Sequence, residues 1–208
     1  MKHKNIAILT AAMVTLTACT TEVVPAFAPT QSGLYITSEG VVTSATVETY
    51  QADYYSADEL KVSVEQVLTE FNGGAGSAQA VVKECTMADG IAKLLIEFGT
   101  PASYLEFMEE YPDEESAIQI KGLDVTTVSD GILKGYLVGE RFYHLEKENK
   151  EVAADEVMKQ SKLYVAAVEG PALLQTDGTI VYISTDVELV STNVVQTPAE
   201  GMSYIVFK

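Results

Sequence analysis

The chain has 208 residues, with 13 Lys and Arg against 30 Asp and Glu and a formal net charge of −17 at pH 7. So acidic a chain disfavours nucleic acid and anionic headgroups, which need basic patches, and its charge serves solubility. Hydrophobic residues make up 47%, which sets aside disorder, and two cysteines set aside a disulfide framework.

The first residues read as a secretion signal. Lys2 and Lys4 give a positive start, and residues 6–18 (IAILTAAMVTLTA) form a mostly apolar run. That run is well short of the ~20 residues that cross a bilayer. The stretch LTAC, ending at Cys19, resembles a bacterial lipobox. The resemblance implies cleavage after residue 18 and diacylglycerol on the Cys19 sulfur. At ~0.8 kcal/mol per buried methylene, two chains hold on the order of 20 kcal/mol. The expected location is the cell membrane, lipid-anchored through Cys19 and facing the extracellular side. Losing Lys2 and Lys4 takes the net charge from −17 to −19, so the membrane contact must be covalent.

Residues 19–33 then form the lipidated N-terminus and a tether. Pro25, Pro29 and small residues suit an extended tether, apolar enough to pack in part on the domain. Residues 34–208 remain for an extracellular domain with one core, or with two subdomains meeting near 112–117.

Four of the acidic-Gly pairs punctuate that domain as turn signals: Glu39-Gly40, Asp89-Gly90, Asp130-Gly131 and Asp177-Gly178. Each lies between β-prone runs, and glycine accepts the positive φ of a tight hairpin turn. Each therefore predicts a hairpin. Between the first two, residues 56–73 predict a helix. Ser56 and Glu59 offer a capping box, while Leu60, Val64, Val67, Leu68 and Phe71 share one face. Asn72 and Gly73 should end it in the left-handed conformation.

In the second hairpin Ala92, Leu94, Ile96 and Phe98 alternate with Ile91, Lys93, Leu95 and Glu97. Glu84 and Glu97 should be solvated there, and Cys85 should be an unpaired, mostly buried structural thiol. A second helix should run over 101–111, capped by Thr100, with Pro101 at its first position and Pro112 as its stop. Its apolar face is Tyr104, Phe107, Met108 and Tyr111. A third, short helix should cover 152–159, and three further strands follow toward the C-terminus. The fold class is α+β: antiparallel β hairpins packed with two or three helices.

GLYITSEGVVTSATVETY, YYSADELKVSVEQVLTEFN, IAKLLIEFGTPASYLEFM, DGTIVYISTDVELV and YIVFK resemble small lipoproteins of Gram-positive (Firmicutes-type) gut bacteria. That group has no assigned activity. The resemblance implies the lipid anchor and the order of elements, and it transfers no catalytic residue.

The residues themselves offer few reactive groups. Without the signal the chain keeps one histidine, His144, too few for the usual zinc set; it reads as a surface or edge residue. The acidic runs YPDEESA and STDVEL lack the spacing of a calcium loop. GGAGS follows a helix instead of opening one, so it is no phosphate loop. No Gly-x-Ser-x-Gly turn occurs. Tyr54 and Tyr55 suit a hydrophobic staple before the first helix. No catalytic residue, cofactor or metal is therefore expected. The weak binding-surface candidates are Glu109, Tyr111, Asp113, Glu114 and Glu115. The expected function is a binding or structural module with a surface protein or glycan as partner. The alternative is an extracytoplasmic carboxylate-dependent hydrolase acting on glycans or cell wall.

Overall fold

A computed structural model describes residues 26–50, 56–75, 79–113, 115–147 and 149–208. Cys19, Tyr54, Tyr55 and Glu114 lie outside these described residues. The fold is α+β, with strands that are almost all antiparallel and few helices.

The first half builds most of one sheet. β1 (Gly33–Ile36) and β2 (Val42–Thr49) form the first expected hairpin, with Gly40 at φ 83°. α1 (Ala57–Ala75) follows, and Ser56 Oγ accepts the Glu59 N–H at 3.4 Å. The helix does not end at Asn72. The Asn72 Oδ1 accepts the N–H groups of Gln79 and Ala80, and its Nδ2 donates to the Ala80 carbonyl at 2.8 Å. The side chain is thus spent on strapping the next strand to the helix, and the backbone stays helical. β3 (Ala80–Ala88) and β4 (Ile91–Phe98) form the second hairpin, where Asp89 and Gly90 both take positive φ.

α2 (Pro101–Glu110) has the expected start. Thr100 and Ser103 cap each other reciprocally, and Pro101 occupies the first turn. The helix stops one residue before the predicted end, and Tyr111 becomes its C-cap.

β5 (Gly122–Thr127) begins a second sheet. The third expected hairpin is absent: Asp130-Gly131 lies inside α3 (Val128–Leu133). Thr127 Oγ1 accepts the Asp130 N–H at 3.1 Å and donates to its carboxylate. This cap starts a helix where an isolated Asp-Gly would start a turn. Gly131 is needed for closeness instead, since a Cβ there would lie 3.0 Å from Val165 Cγ1. β6 (Arg141–His144) and β7 (Lys150–Ala153) pair next, and α4 (Ala154–Val157) is shorter than the expected helix. Val152 is a strand residue, drawn into register with Phe142.

β8 (Tyr164–Glu169) leads to β9 (Leu173–Thr176) and β10 (Ile180–Ser184), the fourth expected hairpin. These two strands do not pair. β9 joins the first sheet parallel to β1, and β10 joins the second. The Asp177 carboxylate accepts the N–H and the hydroxyl of Ser38, both at 2.9 Å. That ties the turn to the first hairpin, so the chain crosses between sheets. β11 (Glu188–Ser191) and β12 (Val194–Gln196) pair in the first sheet, and β13 (Met202–Phe207) closes in the second.

The sheet orders are β11-β12-β9-β1-β2-β4-β3 and β5-β8-β13-β10-β6-β7. One apolar cluster draws on both: Leu34, Ile36 and Phe98 from the first, Ala166, Ile183, Ile205 and Phe207 from the second, with Leu68 and Phe71 of α1. The alternate residues of the second sheet, including Val165, Ala167, Tyr204 and Val206, form another cluster with Val128 of α3 and Val157 of α4. Burial on both faces explains why β8 and β13 read as continuous apolar runs.

The segment expected as a tether packs where it is described. Phe27 stacks on Tyr35 at 5.1 Å, and Ser32 Oγ accepts the Val47 N–H at 2.9 Å. Tyr35 alternates with Leu34 and Ile36 of the shared core, so this segment lies on the opposite face of the first sheet.

Candidate functional site

α1 leans on β3, while α2 leans on β5 and the end of β4. Between them the inner face of β2 and β4 stays partly uncovered, leaving a groove of about 290 Å³. Its floor is Ser44 and Thr46 of β2 with Ile96 and Leu94 directly opposite in the ladder. Val64 and Val67 of α1 form one wall. Tyr104, Phe107, Met108 and Tyr111 of α2 form the other. This is the α2 face expected to be apolar, used here only in part for the core.

The aromatic wall is held by its neighbours. Phe98 meets Tyr104 edge-on at 5.3 Å and Phe107 at 5.3 Å. Phe107 also meets Phe71 of α1 edge-on and tilts over Tyr111 at 5.0 Å. Such pairs add ~0.5–1.5 kcal/mol each beyond burial and fix ring orientation. Burial pushes the Tyr104 phenol well above its usual range, so it stays neutral in the wall.

The floor carries the more telling chemistry. Ser44 and Thr46 are half-buried beside Leu94 and Ile96, and among the described residues neither hydroxyl has a hydrogen-bond partner. Polar groups in an apolar recess without partners leave hydrogen-bonding capacity for an occupant.

Of the residues singled out from sequence, Tyr111 and Asp113 line this groove at its mouth. Glu109 is exposed on α2, outside the lining, and Glu115 is exposed in the following turn, where its N–H donates to Asp113 Oδ1 at 3.1 Å. Glu114 lies outside the described residues. Tyr111 and Asp113 thus coincide with the groove lining, and the floor residues Ser44 and Thr46 are not among the sequence candidates. β2 reads VTSATVET, similar on both faces, so its alternation does not mark Ser44 and Thr46 as inward.

No protein-family model matches the chain, and neither a curated protein nor a solved structure matches it.

A second group of polar side chains lies far from the groove, under α4. His144 is buried, contrary to its sequence reading, because Tyr182 flanks it at 4.3 Å and Glu156 of α4 reaches its Nδ1 at 3.1 Å. The His144 bond, then the Lys147 ammonium, hold the Glu156 carboxyl below the usual range. Glu146 is likewise held low, chiefly by Lys208 at 2.6 Å. Every partner here is a neighbour in the fold, so the group fastens α4 and the C-terminus.

A carboxyl with a lowered folded pKa stabilises above its unfolded value and loses that contribution as pH falls through the folded one. Glu156→Gln should therefore lower stability near neutrality and show a smaller further loss on acidification below the ordinary carboxylate range. Urea midpoints measured across that range check it; parallel curves for parent and variant would contradict it.

Cys85 is free and half-buried, its Sγ 3.5 Å from the Ala57 carbonyl. Burial pushes its thiol up, away from reactivity. Glu84 and Glu97 are part-exposed and paired with Lys93 and Lys83.

Proposed function

We propose that the protein is a binding module, held at the outer cell surface by lipid on Cys19, whose site is the groove between α1 and α2. One observation carries the reading: two hydroxyls, Ser44 and Thr46, without a hydrogen-bond partner among the described residues, on the floor of a largely apolar, aromatic-walled recess. Recesses of this composition suit small ligands with an apolar body and few polar groups. The hydrolase alternative is weaker, because among the described residues one carboxylate, Asp113, lines the groove, whereas glycoside hydrolysis uses two facing acids.

The site is tested with Nile red, a neutral apolar dye. The parent chain should bind it saturably, and Ser44→Phe should weaken binding by roughly tenfold or more, a filled pocket forfeiting over ~1.4 kcal/mol. Val67→Phe, entering from the α1 wall, is the second variant should the first fail to fold. No saturable binding by the parent, or equal binding by a folded filled variant, would remove the groove as the site.

The anchor has its own test. Cys19→Ala should lose lipid and appear as released or unprocessed protein in membrane fractionation. A lipid-modified mature Cys19→Ala product would show that the lipobox reading is wrong.

A further inference from the structure

The mouth of the groove is electrostatically uncompensated. α2 ends there, and its last turn carries Glu109 and Glu110 with no basic residue. The C-terminal end of a helix bears a partial negative charge, so carboxylates are repelled there and cations are favoured. Asp113 follows directly and lines the groove. Neither Glu110 nor Asp113 has a cationic partner among the described residues.

α1 is itself acidic. It carries Asp58, Glu59, Glu65 and Glu70 against Lys61, and Lys61 is engaged with Glu65 at 3.8 Å. Partial burial, then Glu110 and Glu70, raise the Tyr111 phenol, so a carboxylate of each helix acts on that phenol. Among the described residues no Lys or Arg lines the groove. Negative charge gathered at a helix C-terminus, beside aromatic rings and without a counter-ion, costs the fold stability that an occupant of opposite charge restores.

We infer that the ligand of the groove is a small amphipathic cation. Its apolar body rests on Leu94, Ile96 and Phe107, and a polar atom along that body meets the Ser44 or Thr46 hydroxyl. Its positive group stays at the mouth, between Asp113, Glu110 and the last carbonyls of α2, with Tyr111 offering a ring face. An anion of the same shape would meet only like charge there. The inference rests on the groove being the binding site, and it adds the charge and layout of what binds.

The test uses the purified full chain and three probes with one body: 4-phenylbutylammonium, 4-phenylbutanol and 4-phenylbutanesulfonate, titrated by calorimetry. Affinity should fall in that order, with the cation roughly tenfold tighter than the alcohol. In Glu110→Gln/Asp113→Asn the cation-to-alcohol ratio should fall toward one. Ser44→Phe should weaken all three. Cation and alcohol binding alike in the parent, with Ser44→Phe still blocking both, would overturn the charge inference and leave the groove standing. A cation preference that persists in the double variant would also overturn it, since general attraction to an acidic chain would then suffice. No Ser44-dependent binding of any probe would remove both readings.

Discussion

Gly170→Val should leave the chain largely unfolded in mild urea, with a loss of about 4 kcal/mol or more. Gly170 follows β8 at φ 102°, a conformation that side chains with a Cβ resist. A Cβ there would also stand 2.6 Å from the Gln119 carbonyl oxygen and 3.1 Å from the Ile120 Cα. Both obstacles are backbone, so neither can swing aside. The crowding has a cause: Gln119 donates to the Pro171 carbonyl at 3.1 Å and Lys121 to the Glu169 carbonyl at 2.8 Å, so two chain segments close around the glycine. Its carbonyl accepts the buried Thr197 hydroxyl at 2.7 Å, which fixes the third segment. Equilibrium urea unfolding is the measurement, and a midpoint close to the parent's would refute the packing described.

Phe98→Ala should cost about 3–5 kcal/mol, the usual range for emptying a buried aromatic site. Phe98 is fully buried and ends β4 where three layers meet. Its ring seats Tyr104 and Phe107, both at 5.3 Å. The loss should therefore reach the groove: without this seat Tyr104 loses its ring partner and Phe107 keeps Phe71 and Tyr111, and Nile red affinity should fall together with stability. Phe98→Leu separates the two effects, since it keeps most of the volume but none of the edge-on geometry. Near-parent stability of Phe98→Ala would mean that α2 is held by something other than this cluster.

Local chemistry decided the elements that could be read in advance. Thr100, Pro101 and Pro112 bracket α2 because caps and proline act within a single turn. Asp89-Gly90 made a hairpin because both flanking runs had a partner at once in each other. The alternation of β4 placed Ile96 and Phe98 inward and Lys93 and Glu97 outward, as the period of a strand requires.

The same signals misled where a distant partner competed. Asp130-Gly131 was claimed by the Thr127 cap, and Asp177-Gly178 by Ser38, which lies 139 residues away in the chain. Asn72 kept its helix because its side chain found β3.

What the sequence by itself determined was the α+β class, the first two hairpins, and the presence of α1 and α2. Those features follow from caps, turns and periodicity, which need no knowledge of tertiary neighbours. Only the tertiary structure decided that β9 pairs with β1, that the C-terminal strands divide between the two sheets, and that α1 and α2 leave part of β2 and β4 uncovered between them. The groove exists because two helices anchored to different strands, touching through Phe71 and Phe107, leave part of the sheet face between them uncovered, and the separation of two packed elements is not written in the sequence of either.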